Sequence, residues 1–558
     1  MASTGTSSPM REIKPSICPI KGDILFCHQI TVSSKTDRVR MTMPPELHVL
    51  PVIVVPGVMG SNLAKENGEP IWLVDSGPGV AWKVGNLTAG ERQQALHPGR
   101  TQVYKNGGLP LMGLGALTRA QLKARGWGEV SASFYQDFLI WLEENLNGGG
   151  TQSNHSKLNT VLQKVQEGRT WNATKTYSPL TAEESKKAVQ WTYPTHAFGY
   201  NWMDDIAQSA KYLGEKITAL IDFYNQNGVC KQVILVTHSM GGLVARYCSE
   251  VDNKDIDHSA KREKIAGIVH GVMPTVGAAV AYRRCKVGMW DEDRKTSIAI
   301  GTNGREVTAV FAQSPGTLQL LPSKQYPVQD WLQVTDSEGS LLPDQPKTDD
   351  PYKNIYKVND KWWGLINEDW LRPKDGPGFK WSNYLLAIGK AEDFHDAVAD
   401  KYHANTYGFY GSALADPKTQ RAIPNSFARV TWVMGHSVLT PHLTATAGRQ
   451  IMSMQRDTVS ESGSNQVEVN MPSGPMIQNT GPYYFLQLDD ARDSGDETVP
   501  IESGRLPVQS ASVKQFFNLP GVKHGDAYSN ENLRCRQIAA YAIGKIAAGL
   551  PLPTKDKA

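Results

Sequence analysis

The chain has 558 residues, 40% of them hydrophobic, with 58 Lys and Arg against 55 Asp and Glu for a formal net charge of +3. That length requires one heavily decorated domain or two to three domains, with enough apolar material for a large core. The near-balance of charge, without a Lys/Arg-rich stripe or an acidic tail, excludes nucleic acid as an expected partner.

The N-terminus, MASTGTSSPMREIKPS, is polar and lacks the apolar core of a Sec signal peptide. No run approaches the roughly 18 apolar residues of a membrane helix, so no transmembrane segment is expected. The six cysteines are Cys18, Cys27, Cys230, Cys248, Cys285 and Cys535. They form neither a CxxC nor a Cys/His group with zinc spacing, so no metal site is expected. They read as buried thiols of a protein made in a reducing cytoplasm, with a Cys18–Cys27 bridge left open.

Residues 1–45 are mixed and polar and read as an N-terminal arm. LPVIVVPGVMGSNL (50–63) is a continuous apolar run closed by Pro-Gly, the pattern of a strand buried on both faces. SASFYQDFLIWLEENL (131–146) spaces Phe134, Phe138, Trp141, Leu142 and Leu146 as one helix face. An inserted segment spans about 147–195. It contains GGGTQSNHS and then a short helix opened by a Thr181/Glu184 capping box.

AFGYNW (197–202) ends a strand. Asp204 or Asp205 then caps a helix carrying Ile206, Leu213, Ile217, Leu220, Ile221 and Tyr224 on one side, ended by Gly228. QVILVTHS (232–239) and KIAGIVHGVMP (264–274) are further buried strands. Strands that alternate with helices predict a mostly parallel sheet covered on both faces. Residues 290–399 lose this pattern, and the stretch 290–381 holds six of the chain's fourteen tryptophans. It reads as a cap in which most of the indoles fill a small core of its own, leaving one or two for an acyl groove or a membrane surface. Strand candidates return at 405–411, 428–435, 483–488 and 512–519, and a final helix fits 535–550. The main α/β core is thus expected at 46–289 and 400–558.

VTHSMGGLVARY (236–247) carries the chemistry. In a Gly-x-Ser-x-Gly elbow a strand turns sharply into a helix, and the residues two before and two after the serine must be small. Ser239 is the candidate nucleophile, with His238 and Met240 on either side and Gly241 after it. Thr237 stands where the first glycine belongs, a β-branched neighbour that adds strain. A serine nucleophile needs a base, a group that orients it and an oxyanion hole, in the chain order Ser, acid, His. His524 in GVKHGDAY and Asp496 in RDSGDETVP follow strands in that order. Asp489, Asp490 and Asp493 are rivals for the acid, and His403 and His436 for the base. His238 reads as packing beside the turn and His270 as a core histidine. The oxyanion donors are expected to be the backbone amides of Met240 and, in the loop PGVMGS, Val58. Asp291, Glu292 and Asp293 lack the spacing of a calcium loop and read as a solvated acidic turn.

The set PVIVVPGVMGSNL, IWLV, AFGYNW, VTHSMGGLVAR, GTLQLLP, GDETVP and GVKHGD resembles the lecithin:cholesterol acyltransferase-like and GPI-inositol-deacylase-like lipases of the α/β-hydrolases. The matched segments fall in residues 50–325 and 480–550, in order. The resemblance implies an α/β-hydrolase fold with a large inserted cap and a Ser239–His524–Asp496 triad. It also implies an oxyanion hole at Val58 and Met240, and no cofactor. The departure is Thr237, where the family has Gly or Ala.

The expected function is that of a serine hydrolase of lipid carboxylic esters, a phospholipase of the A1 or A2 type. Without a Sec signal it looks like a type VI secretion lipase effector. Such a toxin acts on membrane phospholipid in the periplasm or at a membrane of a target cell, and a cognate immunity protein restrains it in the producer. Other readings are an intracellular lipid esterase or acyltransferase, a peptidase, and an inactive hydrolase scaffold that only binds.

Overall fold

The computed structural model describes residues 48–76, 85–111, 113–114, 117–147, 171–226, 228–251, 262–290, 292, 297, 300–434, 445–454 and 483–552, with short strands at 11–13, 15–17, 24–26, 39–41, 458–459 and 466–470. Its centre is a six-stranded, wholly parallel sheet. The strands are β1 (Val52–Val55), β2 (Thr195–Ala197), β3 (Val233–His238), β4 (Ile265–Gly271), β6 (Thr406–Ser412) and β11 (Val513–Pro520). Their spatial order is β11-β6-β4-β3-β1-β2. β1, β3 and β4 are buried at every position, as continuous apolar runs in a sheet covered on both faces should be.

Successive side chains on a strand point to opposite faces, and two cores result. Ile53, Val55, Val233 and Leu235 join one with Ile206, Leu213 and Ile217 of α2 (Ile206–Asn225) and Leu243 of α3 (Gly241–Glu250). Val52, Val54, Ile234 and Val236 join the other with α1 (Ala132–Asn147) and α7 (Leu533–Ala548). This is the α/β-hydrolase fold. Asp205, rather than Asp204, caps α2, accepting from the Ala207 amide at 3.1 Å. The helix ends at Asn225, ahead of Gly228. The Thr181/Glu184 capping box forms as expected. In α1 the buried stripe is Tyr135, Phe138, Leu139, Leu142 and Leu146, one residue round from the expected face, while Phe134 is half-exposed and Trp141 only partly buried.

A second, five-stranded sheet packs over the α2/α3 side. It contains β5 (Leu332–Thr335), β7 (Val430–Met434), β8 (Thr458–Val459), β9 (Gln466–Asn470) and β10 (Tyr483–Leu488) in the order β5-β7-β10-β9-β8. The strands expected at 428–435 and 483–488 thus lie in this second sheet and not in the central one. Burial of β7 alternates along Val430, Thr431, Trp432, Val433 and Met434, as in a sheet buried on one side only. Of the six tryptophans, Trp331, Trp362, Trp363 and Trp370 are buried. Trp362 meets Trp432 edge-on at 5.6 Å. Trp331, Trp362 and Trp363 join the same core as Ile53 and Leu235 of the central sheet, rather than a core of their own. Among the described residues no helix is long and apolar enough to cross a membrane. Cys18, Cys27 and His436 lie outside the described residues.

Candidate active site

β3 runs into Ser239, whose backbone takes φ +52°, the left-handed region that a non-glycine residue enters only at a strain cost. The turn is held from both sides. The Ser239 amide donates to Gly271 O at the end of β4, and Gly242 donates to Ser239 O, each at 2.9 Å. α3 begins at Gly241, and a β-carbon there would stand 2.4 Å from Val55 O and 2.5 Å from Pro56 O. Only glycine lets the helix start this close to β1.

Thr237 is fully buried, and its hydroxyl lies 3.0 Å from His270 Nδ1 on the neighbouring strand β4. The side chain that breaks the motif is thus absorbed as a cross-strand hydrogen bond. His270 is only half satisfied, since its Nε2 has no partner. Burial, followed by nearby Arg246 and His403, pushes it down to about 3.

His524 lies in the loop after β11, and its Nε2 is 2.8 Å from Ser239 Oγ. Its Nδ1 is 2.9 Å from Asp496 Oδ2. Asp496 is 1% exposed, and its other oxygen accepts the Thr498 and Val499 amides at 3.1 and 2.6 Å. The His524 amide donates to Asp496 O at 2.8 Å, locking the two loops together. The strand that precedes Asp496, β10, belongs to the second sheet. What supports the acid is the end of β6: a β-carbon on Gly411 would stand 2.6 Å from Asp496 Cβ, and Ser494 Oγ accepts the Ala413 amide at 2.9 Å. The chain leaves β6, builds most of the second sheet and returns to set the acid beside the strand it left.

Two rivals are occupied elsewhere: Asp493 Oδ2 accepts the Ala428 and Arg429 amides, and Asp489 pairs with Arg492. Asp490 lines the cavity, but it is Asp496 that meets His524. His403 precedes β6, at the other end of the strand from Ser239, and its Nδ1 accepts the Asn405 amide.

The loop after β1 approaches the elbow closely. A β-carbon on Gly57 would stand 3.0 Å from Ser239 Cβ. Val58 lines the cavity and Met240 starts the helix behind Ser239. Neither amide finds an acceptor among the described residues, as donors reserved for a substrate oxygen require.

His238 does more than pack. Its Nδ1 is 2.7 Å from Tyr135 Oη and its Nε2 is 2.8 Å from the carbonyl oxygen of His524. Tyr135 Oη in turn accepts the Gly57 amide at 2.9 Å. Burial, reinforced by the charge of His524, pushes His238 down to about 4. Tyr135 escaped the sequence reading because the apolar face was drawn one residue off. Its spacing of i, i+3, i+4 and i+7 with Phe138, Leu139 and Leu142 was the signal.

Ser239 opens into a cavity of about 1170 Å³, larger than the roughly 300–1,000 Å³ usual for ligand pockets. Its lining combines apolar side chains, Trp72, Pro274, Val280, Met289, Phe311 and Leu320 among them, with polar ones, Arg283, Arg284, Glu292, Thr498, Lys523 and Asp526. Glu292 is not a free acidic turn: Arg283 Nη1 and Arg284 Nε hold its two oxygens at 2.5 and 2.8 Å. None of the six cap tryptophans lines the cavity.

A parallel sheet whose strand ends gather Ser, His and Asp under a capped cavity defines a lipase-like α/β-hydrolase. The comparisons agree. Residues 182–290, which carry α2, the elbow and β4, match the family described as PGAP1-like alpha/beta domain. The chain is also similar in structure to a chain of the crystal structure of the Tle4-Tli4 complex. The TM-score is 0.70 at 26% identity, covering 90% of this chain and 99% of that one. No curated protein is significantly similar to it in sequence.

Proposed function

We propose that the protein is a serine lipase that cleaves carboxylic esters of membrane phospholipids, a phospholipase of the A1 or A2 type. The observation that carries this is the relay from Ser239 Oγ through His524 to Asp496, at 2.8 and 2.9 Å, opening on a large cavity lined in part by apolar side chains. His524 Nε2 takes the Ser239 proton as Oγ attacks the ester carbonyl. The oxyanion sits on the Val58 and Met240 amides, each worth roughly 10²–10³-fold in rate. The tetrahedral species collapses, and His524 returns the proton to the departing lysolipid alcohol. Water, deprotonated by His524, then attacks the acyl-Ser239 ester; the second tetrahedral species collapses as His524 gives the proton to Ser239 Oγ, and the fatty acid leaves. Asp496 holds the imidazole with its proton on Nδ1. The cap, residues 290–399 with the second-sheet strands it shares with 430–488, supplies the apolar side through Phe311 and Leu320.

We take the biological role to be that of a type VI effector toxin acting on a target cell's membranes. Two things support this reading: the resemblance of the motifs and the similarity to a chain solved together with a second protein, Tli4. By analogy, a cognate immunity protein is the expected partner of this chain. The test is fatty-acid release from phospholipid vesicles by wild type beside Ser239→Ala, with fluorophosphonate labelling. Release and labelling that vanish in the variant support the reading, and the chain released identifies the ester cut. Absence of both from wild type overturns it, and labelling without release removes phospholipid as the substrate.

A further inference from the structure

The triad chemistry assigns no work to His238 and Tyr135, two buried polar side chains beside the elbow. We propose that they are positioning residues, forming a strut of fixed hydrogen-bond polarity that ties the oxyanion loop to the backbone of the catalytic histidine. The proposal rests on the serine-hydrolase reading of Ser239 and adds two residues to it.

The polarity is set by the ends of the chain of bonds. The Gly57 amide can only donate, and the carbonyl of His524 can only accept. Tyr135 Oη receives the Gly57 N–H at 2.9 Å, so its own proton points to His238 Nδ1, 2.7 Å away. His238 must then be neutral, with its proton on Nε2 directed at His524 O, 2.8 Å away. A charged His238 would present N–H to Tyr135 and leave the phenol proton without its acceptor. Burial acts in the same sense on both groups, holding the imidazole neutral and the phenol protonated.

Each end meets the catalytic machinery. Gly57 O accepts the Gly60 amide at 3.1 Å, so both polar groups of Gly57 are fixed. The peptide bond is trans and planar, so the Val58 N–H points opposite to the Gly57 carbonyl, with no freedom to rotate. At the other end the strut reaches the backbone of His524, whose amide is held by Asp496 O. One chain of bonds therefore sets the separation between the oxyanion donor and the base across Ser239. Both strut side chains line the cavity, but their bonds run to other protein groups.

Three variants test this. Tyr135→Phe removes the middle link. His238→Phe removes the link but keeps a ring. His238→Gln restores the polarity, with an oxygen for Tyr135 and an N–H for His524 O. On a short soluble ester, Tyr135→Phe and His238→Phe should each lower kcat roughly 10²-fold with KM unchanged, the size expected for a misplacement of about 1 Å. The double variant should lose no more than either single one, because one chain is already broken. His238→Gln should recover most of the activity. The ¹⁵N imidazole spectrum of Ser239→Ala should show His238 protonated at Nε2 and bare at Nδ1. That readout needs no turnover, so it tests the strut even if the esterase reading fails. The proposal is overturned by kcat within threefold of wild type in both single variants of properly folded protein, by additive losses, or by the opposite tautomer.

Discussion

Replacing Asp496 with Asn isolates the electrostatic part of the site, because the change is nearly isosteric and the residue is 1% exposed. One carboxylate oxygen accepts two backbone amides, from Thr498 at 3.1 Å and Val499 at 2.6 Å. The Asn carbonyl must stay there. Turning the amide round would set an NH₂ against two buried donors, at about 1–3 kcal/mol for each group left unpaired. The NH₂ therefore faces His524 Nδ1, which becomes an acceptor. The ring proton moves to Nε2, the atom 2.8 Å from Ser239 Oγ. A base that already carries a proton at that position cannot take another from serine. The loss expected from such a wrong tautomer is about 10⁴-fold in kcat, or about 5.5 kcal/mol. The assay is steady-state hydrolysis of a p-nitrophenyl ester at neutral pH, with thermal melting to show an unchanged fold. Asp493→Asn is the control, since its carbonyl can keep the Ala428 and Arg429 amides. Activity of Asp496→Asn within tenfold of wild type, or a larger loss in the control, would refute the reasoning.

Gly241→Ala drives a methyl against Val55 O and Pro56 O and must lift α3 from β1. We expect about 1–3 kcal/mol of destabilisation and roughly 10²-fold in kcat, read from urea midpoints and turnover. Thr237→Ala leaves His270 Nδ1 without its hydroxyl partner, so it should cost about 1–3 kcal/mol of stability and leave kcat near wild type; a large gain in kcat would show that the threonine strains the elbow. Burial holds His196, His238, His270, His395 and His403 below the ordinary histidine value, with His238 and His403 at about 4 and His270 and His395 at about 3. The unfolded chain gains protons on these five as pH falls through about 6.5 while the fold refuses them, so stability is complete above that value and is lost below it. Each histidine removes about 1.4 kcal/mol per pH unit, and a denaturation midpoint that stays flat from neutral pH down to about 5 would contradict this.

The elbow was legible because a run of apolar β-formers ending in Ser-Met-Gly-Gly admits few structures, and the order Ser239, Asp496, His524 could be read from the loops that carry them. The owner of the acid's loop was not legible. Pairing between β6 and the residues beside Asp496 is long-range, and nothing local in RDSGDETVP names the strand it returns to. Trp432 and its neighbours read as a core strand by composition, although their alternation already indicated a sheet with one wet side. The work of His238 was hidden for a different reason: its partners are a phenol on α1 and two backbone groups, which no spacing along the chain discloses.

The detour from the end of β6 through the second sheet and back to Asp496 also bears on the order in which the molecule becomes competent. When the ribosome has finished β4, the nucleophile and the groups that hold its turn have been made. The carboxylate and the imidazole arrive only with the last part of the chain, after all five strands of the second sheet have been made in between. Activity is therefore a property of the finished molecule. Until then the chain carries a serine without a base.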